Sequence, residues 1–308
     1  MVEDTIYGLD NREYHYGDGY KDYVSSSQLK LYGVSAKAFR HSLGCGEREE
    51  TEAMRTGSLY HSCLAALADG AELEEVLDAV RVFEAPVNVR TGRPYGAQTE
   101  AYRAAYAAFV AEGGAFVATA QEKEQVDGML RALLRGCGEV SESVRKFLRW
   151  GKPEVSHFVV YEGERFKYRP DIETERKIVD WKTVGTDDLR EESLNRVILR
   201  YGYHISAAFY QLMEHERSGR WKRFYLVMQS KVAPWDAVIV DMAEYGYEYD
   251  EEADVLRKGC GALEMERLMG LHLECCRRGD WPGAAEGAHG VLRIVPPRYY
   301  EMRIFEND

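Results

Sequence analysis

Residues 152–183 read KPEVSHFVVYEGERFKYRPDIETERKIVDWKT. Three β-type runs lie back to back in this stretch: Val155–Tyr161, Phe166–Ile172 and Lys177–Thr183. Glu162–Gly163 and the charged Glu173–Glu175 separate them, so the simplest pairing is an antiparallel meander. Acidic residues stand at the edges of the apolar runs: Glu154 before the first, Asp171 near the end of the second, Asp180 inside the third. Side chains alternate across a strand, so Asp180 and Lys182 share one face and Trp181 takes the other. A carboxylate and an ammonium on a mostly buried strand are costly unless they are paired or bind something.

The chain before this stretch is helical in pattern. Residues 1–24 show little periodicity and read as an extended arm. Ser25–Ser27 offers an N-cap for a short helix, Gln28–Tyr32, and a second follows at Ala36–Ser42. In Glu52–Asp69 the apolar residues wrap most of the circumference, which predicts a buried helix carrying His61. Taken alone, a histidine on such a helix is more often a satisfied core side chain than a ligand. Further helices are expected at Glu72–Val82, Ala97–Glu112, Gln121–Leu134 and Ser141–Leu148, with Thr119 and Glu122 at capping-box spacing. After the central stretch come two helices, Asp187–Arg200 and Tyr203–Arg217, then two strands, Arg223–Gln229 and Ala237–Met242. A long helix, Glu251–Arg278, ends at Gly279. This order predicts an α/β protein: a central mixed β-sheet flanked by helices, with a helical N-terminal half. Residues 25–308 read as one domain, helical over 25–150, with a sheet-bearing core over 151–278 and a tail over 279–308.

Hydrophobic content of 45% and charged content of 30% in 308 residues describe an ordinary soluble globular chain. The first twenty residues lack a basic region followed by an apolar run, so no signal peptide is expected, and no apolar run approaches the roughly 20 residues of a membrane span. The expected location is the cytoplasm, where the six cysteines, without regular spacing, would stay reduced. The formal net charge of −12 argues against a nucleic-acid partner, yet between Arg165 and Lys231 Lys/Arg outnumber Asp/Glu by 14 to 10. A locally basic segment on an acidic body is compatible with a phosphate-binding cleft, and equally with a solvated mixed-charge surface.

Carboxylates converging on one spot bind a hard divalent cation, Mg²⁺ or Mn²⁺. Asp171, Asp180 and Lys182 come close if their strands pair, and Glu154 leads into the first strand. Such a cluster suits phosphodiester hydrolysis. A D-x-K triplet alone is common and describes an exposed same-face salt bridge just as well. The literal Pro170–Asp171, a short gap, and then Asp180-Trp181-Lys182 on an apolar strand, with an upstream glutamate, is far more specific.

This pattern resembles the PD-(D/E)xK nuclease superfamily and, more closely, the RecE-type exonucleases (exodeoxyribonuclease VIII and related phage enzymes). The matching pieces run in order from Ser25–Leu29 (SSSQL) through Thr56-Gly57-Ser58-Leu59-Tyr60-His61, Pro153-Glu154, Arg169-Pro170-Asp171 and Val179-Asp180-Trp181-Lys182-Thr183. They continue through Tyr203-His204 and Ala208-Phe209-Tyr210 to Gly279-Asp280-Trp281-Pro282. The resemblance implies a restriction-endonuclease-like core and a Mg²⁺-dependent nuclease working 5′→3′ from duplex DNA ends in phage-type recombination. It also implies a ring-like homo-oligomer and a single-strand annealing protein as partner. By the same resemblance Asp171 and Asp180 are metal ligands, Lys182 is the catalytic lysine, Glu154 is the upstream acidic residue, and His61 lies near the metals. One position departs: where these nucleases carry Q-x-x-x-Y, this chain has Ser206 and Tyr210. Gln211 sits about 100° round the helix from Tyr210 and does not replace the glutamine. Tyr210 is a candidate at the DNA cleft. Arg169, Arg196 and Arg200 flank the motif and are candidates for phosphate contacts. Two other readings stand beside this one. The first is an iron–sulfur nuclease using Cys260, Cys275 and Cys276, whose spacing is poor. The second is a DNA-end-binding ring without activity.

Overall fold

The run Lys177–Val184 forms one strand, and both of its faces are covered: Ile178, Val179, Trp181 and Val184 are all buried. A strand covered on both faces suits a parallel neighbour. Arg223–Ser230 lies parallel to it, with Asp180 opposite Leu226. Two helices, Glu191–Tyr201 and Tyr203–Ser218, make the crossover. Ala237–Asp241 pairs antiparallel with Arg223–Ser230, and the short segments Ile172–Glu173 and Lys152–Pro153 extend the other edge. The computed structural model describes residues 4–45, 51–113, 116–286, 291, 294 and 295. Within it, this five-stranded mixed sheet is the centre of an α/β fold.

Alternation along the strands decides what each face meets. Val179, Trp181 and Val227 pack into one cluster with side chains of the helices Glu52–Ala68, Ala120–Arg135 and Glu139–Trp150. Ile178, Phe224, Leu226 and Met228 pack with Leu194, Ile198 and Ala207 of the crossover helices. Each such large side chain contributes about 1.5–3 kcal/mol by leaving water. The helix Ala120–Arg135 begins with the expected capping box of Thr119 and Glu122.

The expected meander does not form as a single sheet. Its first two runs make a hairpin, Ser156–Tyr161 with Glu164–Tyr168, closed by Glu162 and Gly163 at φ 51° and 86°. Two residues with positive φ give a turn whose twist matches the flanking strands. The second run stops at Tyr168. Pro170 offers no N–H to a ladder, and beyond it Ile172–Glu173 pairs with Ile178–Val179 in the central sheet. The hairpin instead gains Asp4–Ile6 and forms a separate three-stranded sheet. Residues 4–24, expected as an extended arm, supply that strand and the helix Asn11–Tyr16. The rings of Tyr14, Tyr20 and Tyr23 lie 6.0, 4.5 and 5.1 Å from Phe158.

Two helix expectations need correction. The segment expected at Glu72–Val82 is helical only over Leu73–Asp78, and Arg81–Phe83 then forms a strand parallel to Val117–Thr119. The long helix is Cys260–Arg278, because 247–258 forms a hairpin, Tyr247–Asp250 with Val255–Lys258. It ends as expected, with Gly279 at φ 65° donating its N–H to Cys275. Part of the tail packs on the body, Lys37 N–H donating to the Pro282 carbonyl at 3.0 Å. Pro296–Pro297 lie outside the described residues. Among the described residues no helix is long and apolar enough to cross a membrane.

Candidate active site

Strand alternation puts Asp180 and Lys182 on one face, and Lys182 Nζ lies 2.5 Å from Asp180 Oδ2. Asp171 occupies the break after Pro170, where its Oδ2 accepts from the Trp181 backbone N–H. That bond fastens the end of the hairpin segment to the central strand. Glu154 has a left-handed backbone, φ 49°, and its N–H donates to the Asp171 carbonyl at 3.2 Å. His61 arrives from the helix Glu52–Ala68, which Leu59, Cys63 and Leu64 lock into the core. Tyr60 adds a hydrogen bond from its hydroxyl to Gln229 at 2.5 Å. So held, His61 places Nδ1 2.9 Å from Asp171 Oδ1. One ligand atom each from His61, Glu154 and Asp171 lies within 4.8 Å of the others. Asp180, drawn onto Lys182, adjoins this triad.

The electrostatics are unbalanced. Burial, then the Asp171 charge, pushes the Glu154 carboxyl up to about 7. Burial raises Asp180 to about 6 in spite of Lys182. Burial works against ionisation at Asp171 too, but His61, Lys182 and the Trp181 N–H outweigh it and hold it down to about 2. Burial disfavours the charged forms of His61 and Lys182, and the neighbouring carboxylates overcome it, so both are raised. Lys182 is therefore an ammonium. Three carboxylates thus face one lysine, one histidine and Arg169, whose Nη1 lies 4.0 Å from Glu154 Oε2, and two of them ionise reluctantly. A pocket of carboxylate oxygens with one imidazole nitrogen, two of whose carboxyls are incompletely stabilised as anions, fits a hard or borderline divalent cation such as Mg²⁺ or Mn²⁺.

The other candidates separate clearly. Tyr210 lies at the site's edge, its hydroxyl 3.3 Å from the Arg169 carbonyl and its ring between Tyr168 and Phe224. Arg169 is directed away from solvent. Its Nε donates to Ser156 Oγ at 2.8 Å, Nη2 to the Leu9 carbonyl at 3.1 Å, and the guanidinium lies 4.0 Å from the Tyr14 ring. It binds the N-terminal segment to the core rather than standing free for phosphate. Arg196 is exposed and paired with Glu192 at 2.8 Å, and Arg200 lies 5.7 Å from the Tyr201 ring. Ser206 donates to Ser26 Oγ at 3.2 Å, linking the crossover helix to the SSSQL segment. Gln211 is turned away, bridging Lys222 and Tyr247 through bonds of 2.8 Å. A further neighbour lies outside the motif residues. Lys30, one residue past the SSSQL segment, lies 6.0 Å from the Tyr203 ring, and Lys182 lies 5.5 Å from the same ring. Burial, then the Lys182 charge, holds Lys30 down to about 8. Nothing in the sequence paired Lys30 with Lys182.

A mixed sheet whose central strand carries D-x-K, with a Pro–Asp break beside it and a glutamate upstream, defines the PD-(D/E)xK nuclease superfamily. Within it, the chain belongs to the PDDEXK-like domain family of unknown function DUF3799, which matches residues 25–286. Its fold is similar to a crystal structure from Eubacterium rectale named "Putative exonuclease". The TM-score is 0.53 and the identity 15%, over 96% of this chain and 97% of the other. No curated protein matches it. The iron–sulfur arrangement fails on geometry. Cys260 opens the long helix and Cys275 lies near its end, about 22 Å apart at 1.5 Å per residue, too far for one cluster.

Proposed function

We propose that this chain is a metal-dependent deoxyribonuclease that hydrolyses phosphodiester bonds at duplex DNA ends. The observation that carries the reading is the convergence of His61, Glu154 and Asp171 beside the Asp180–Lys182 pair. His61, Glu154, Asp171 and Asp180 would hold Mg²⁺ or Mn²⁺. When bound, the cation supplies positive charge against the phosphate oxygens and acidifies a water. Lys182, as an ammonium, donates hydrogen bonds to the phosphate or to the attacking water rather than removing its proton. His61 fixes the orientation of Asp171, whose other oxygen is held by the Trp181 N–H. Glu154 gives up its proton near neutral pH and then adds a second carboxylate to the triad.

The finer assignment rests on resemblance to RecE-type enzymes: exonuclease action, 5′→3′ polarity and a place in phage-type recombination. So do a ring-like homo-oligomer, an annealing-protein partner and a cytoplasmic setting. The exonuclease name of the Eubacterium rectale protein supports attack at ends. A DNA-end-binding ring without turnover is the rival, and Ser206, bonded to Ser26, favours it. Digestion of linear and nicked-circular duplex in Mg²⁺, Mn²⁺ or EDTA separates the readings. We expect metal-dependent loss of linear DNA. Binding without loss supports the rival, and equal cutting of closed circles supports an endonuclease.

A further inference from the structure

The long helix carries a second set of metal-ligand side chains, remote in sequence from the carboxylate cluster. His272 and Cys276 are four residues apart and so lie on one helix face. His272 is 2% exposed and meets the rings of Tyr32, Phe39 and Phe166 edge-on, at 5.7, 5.1 and 5.5 Å. Its Nδ1 lies 3.1 Å from the Tyr32 hydroxyl. Cys276 Sγ lies 3.7 Å from His272 Nε2. Glu164 opens the strand Glu164–Tyr168 and brings a carboxylate oxygen to the same point, so that one ligand atom from each of the three lies within 4.8 Å of the others. We propose that Glu164, His272 and Cys276 form a binding site for a thiophilic divalent cation, Zn²⁺ by preference.

Three observations support this assignment. The donor set is one sulfur, one imidazole nitrogen and one carboxylate oxygen, which suits Zn²⁺ and not the hard cations of the other site. The spacing fits as well. Ligands at about 2.3 Å (sulfur) and about 2.0–2.1 Å (nitrogen) from a tetrahedral ion stand about 3.6 Å apart; here Sγ lies 3.7 Å from Nε2 and 3.8 Å from Nδ1, so the distance is right and the imidazole must turn to aim Nε2 at a shared ion. Finally, the Tyr32 hydroxyl engages Nδ1 and leaves Nε2 for the ion, the usual way a neighbouring group orients a ligating histidine. Among the described residues no salt bridge engages Glu164. The group His157, Glu173 and Glu214 has similar spacing, but Lys222 and Arg217 already fill the cation's place there. An ion at Glu164 would staple the end of the long helix to the three-stranded sheet and to the Tyr32 turn, leaving one coordination position for water.

Reduced, chelator-stripped protein titrated with Co²⁺ tests the assignment, because a thiolate on Co²⁺ gives a near-ultraviolet charge-transfer band that oxygen and imidazole ligands do not. We expect the band to saturate at one equivalent and to bleach on adding Zn²⁺. It should persist in Asp171→Asn and Cys275→Ser and vanish in Cys276→Ser. In an Asp171→Asn background, which weakens the other cation site, Zn²⁺ should raise the melting midpoint, and adding Cys276→Ser should abolish that rise. Absence of the band in folded wild-type protein overturns the proposal, as does a band that survives Cys276→Ser.

Discussion

Asp171 and Glu173 stand two residues apart, yet they anchor acidic clusters of opposite electrostatic character. At Glu173 the carboxylates are matched. Glu173 accepts from His157 Nε2 at 2.5 Å and from Lys222, with Arg217 at 3.6 Å. Glu214 receives Lys222 at 3.0 Å, Arg217 at 2.8 Å and the Tyr168 hydroxyl at 2.5 Å. Burial opposes ionisation here too, but these donors pull Glu173 down to about 2 and lower Glu214 as well. Beside Asp171, burial outweighs Lys182, His61 and the more distant Arg169, and Glu154 and Asp180 are pushed up instead, to about 7 and about 6. Both clusters bring three ligand atoms within 4.8 Å. Convergence of donors therefore does not by itself distinguish the two clusters. The difference lies in carboxyls that the surrounding cations leave incompletely stabilised, a deficit that a bound cation would relieve.

The largest effect should follow from disturbing the unbalanced cluster. Lys182→Ala removes the one lysine paired with its carboxylates. Turnover should fall about 10²–10³-fold, the usual cost of losing one charge-stabilising donor, while DNA is still bound. Single-turnover digestion with a gel-shift control measures both. Normal cleavage by Lys182→Ala would show that the assigned site is wrong. The balanced cluster should respond in the opposite way. Glu173→Ala leaves Lys222 buried with one partner fewer, at a cost of about 3–5 kcal/mol. Urea midpoints read that loss, and cleavage per folded molecule should be unchanged.

These two clusters were not equally legible in the sequence. Strand alternation suffices to put Asp180 and Lys182 together, because they are two residues apart on one strand. His61 and Asp171 are separated by 110 positions, and only the motif around His61 linked them. The Glu173 cluster gave no signal. Its partners, Lys222 and Glu214, arrive through the crossover helices, and local pattern says nothing about such pairing. The meander failed for a related reason. Periodicity identifies strands, but the partner of Lys177–Val184 is Arg223–Ser230, which no local rule selects. The part of the 247–258 hairpin from Glu251 onward reads as helix because its run of glutamate, alanine and leucine favours helix when taken alone. Two short paired strands won there through tertiary packing, with Tyr247 buried against the long helix.

A pH scan sharpens the contrast with a smaller effect. Glu173 has its folded pKa, about 2, below the unfolded value near 4.3. Its stabilisation is therefore complete above the unfolded value and is lost as pH falls through about 2. Glu154 and Asp180 have the reverse sign. The folded chain binds more protons than the unfolded chain between about pH 4 and 7, so their contribution to metal-free stability declines as pH rises through that window. Mg²⁺ needs the ionised carboxylates, so it should raise the melting midpoint more at about pH 8 than at about pH 5.5. An equal rise at both values would mean that the cation binds elsewhere.

The smallest effect concerns the arginines beside the site. Arg169 is committed to Ser156, Leu9 and the Tyr14 ring, so its replacement should act on folding before it acts on DNA. Arg196 is 71% exposed, and its partner Glu192 is 85% exposed. A pair so open to solvent contributes little to stability, and Arg196→Ala should leave the unfolding midpoint where it is. Its charge still faces whatever approaches the crossover helix. If a DNA phosphate comes there, the plot of log affinity against log salt should lose about one unit of slope, with no change in sequence preference. An unchanged slope would take Arg196 off the DNA path. Recognition would then fall to residues nearer the unbalanced cluster, where Lys30 already stands.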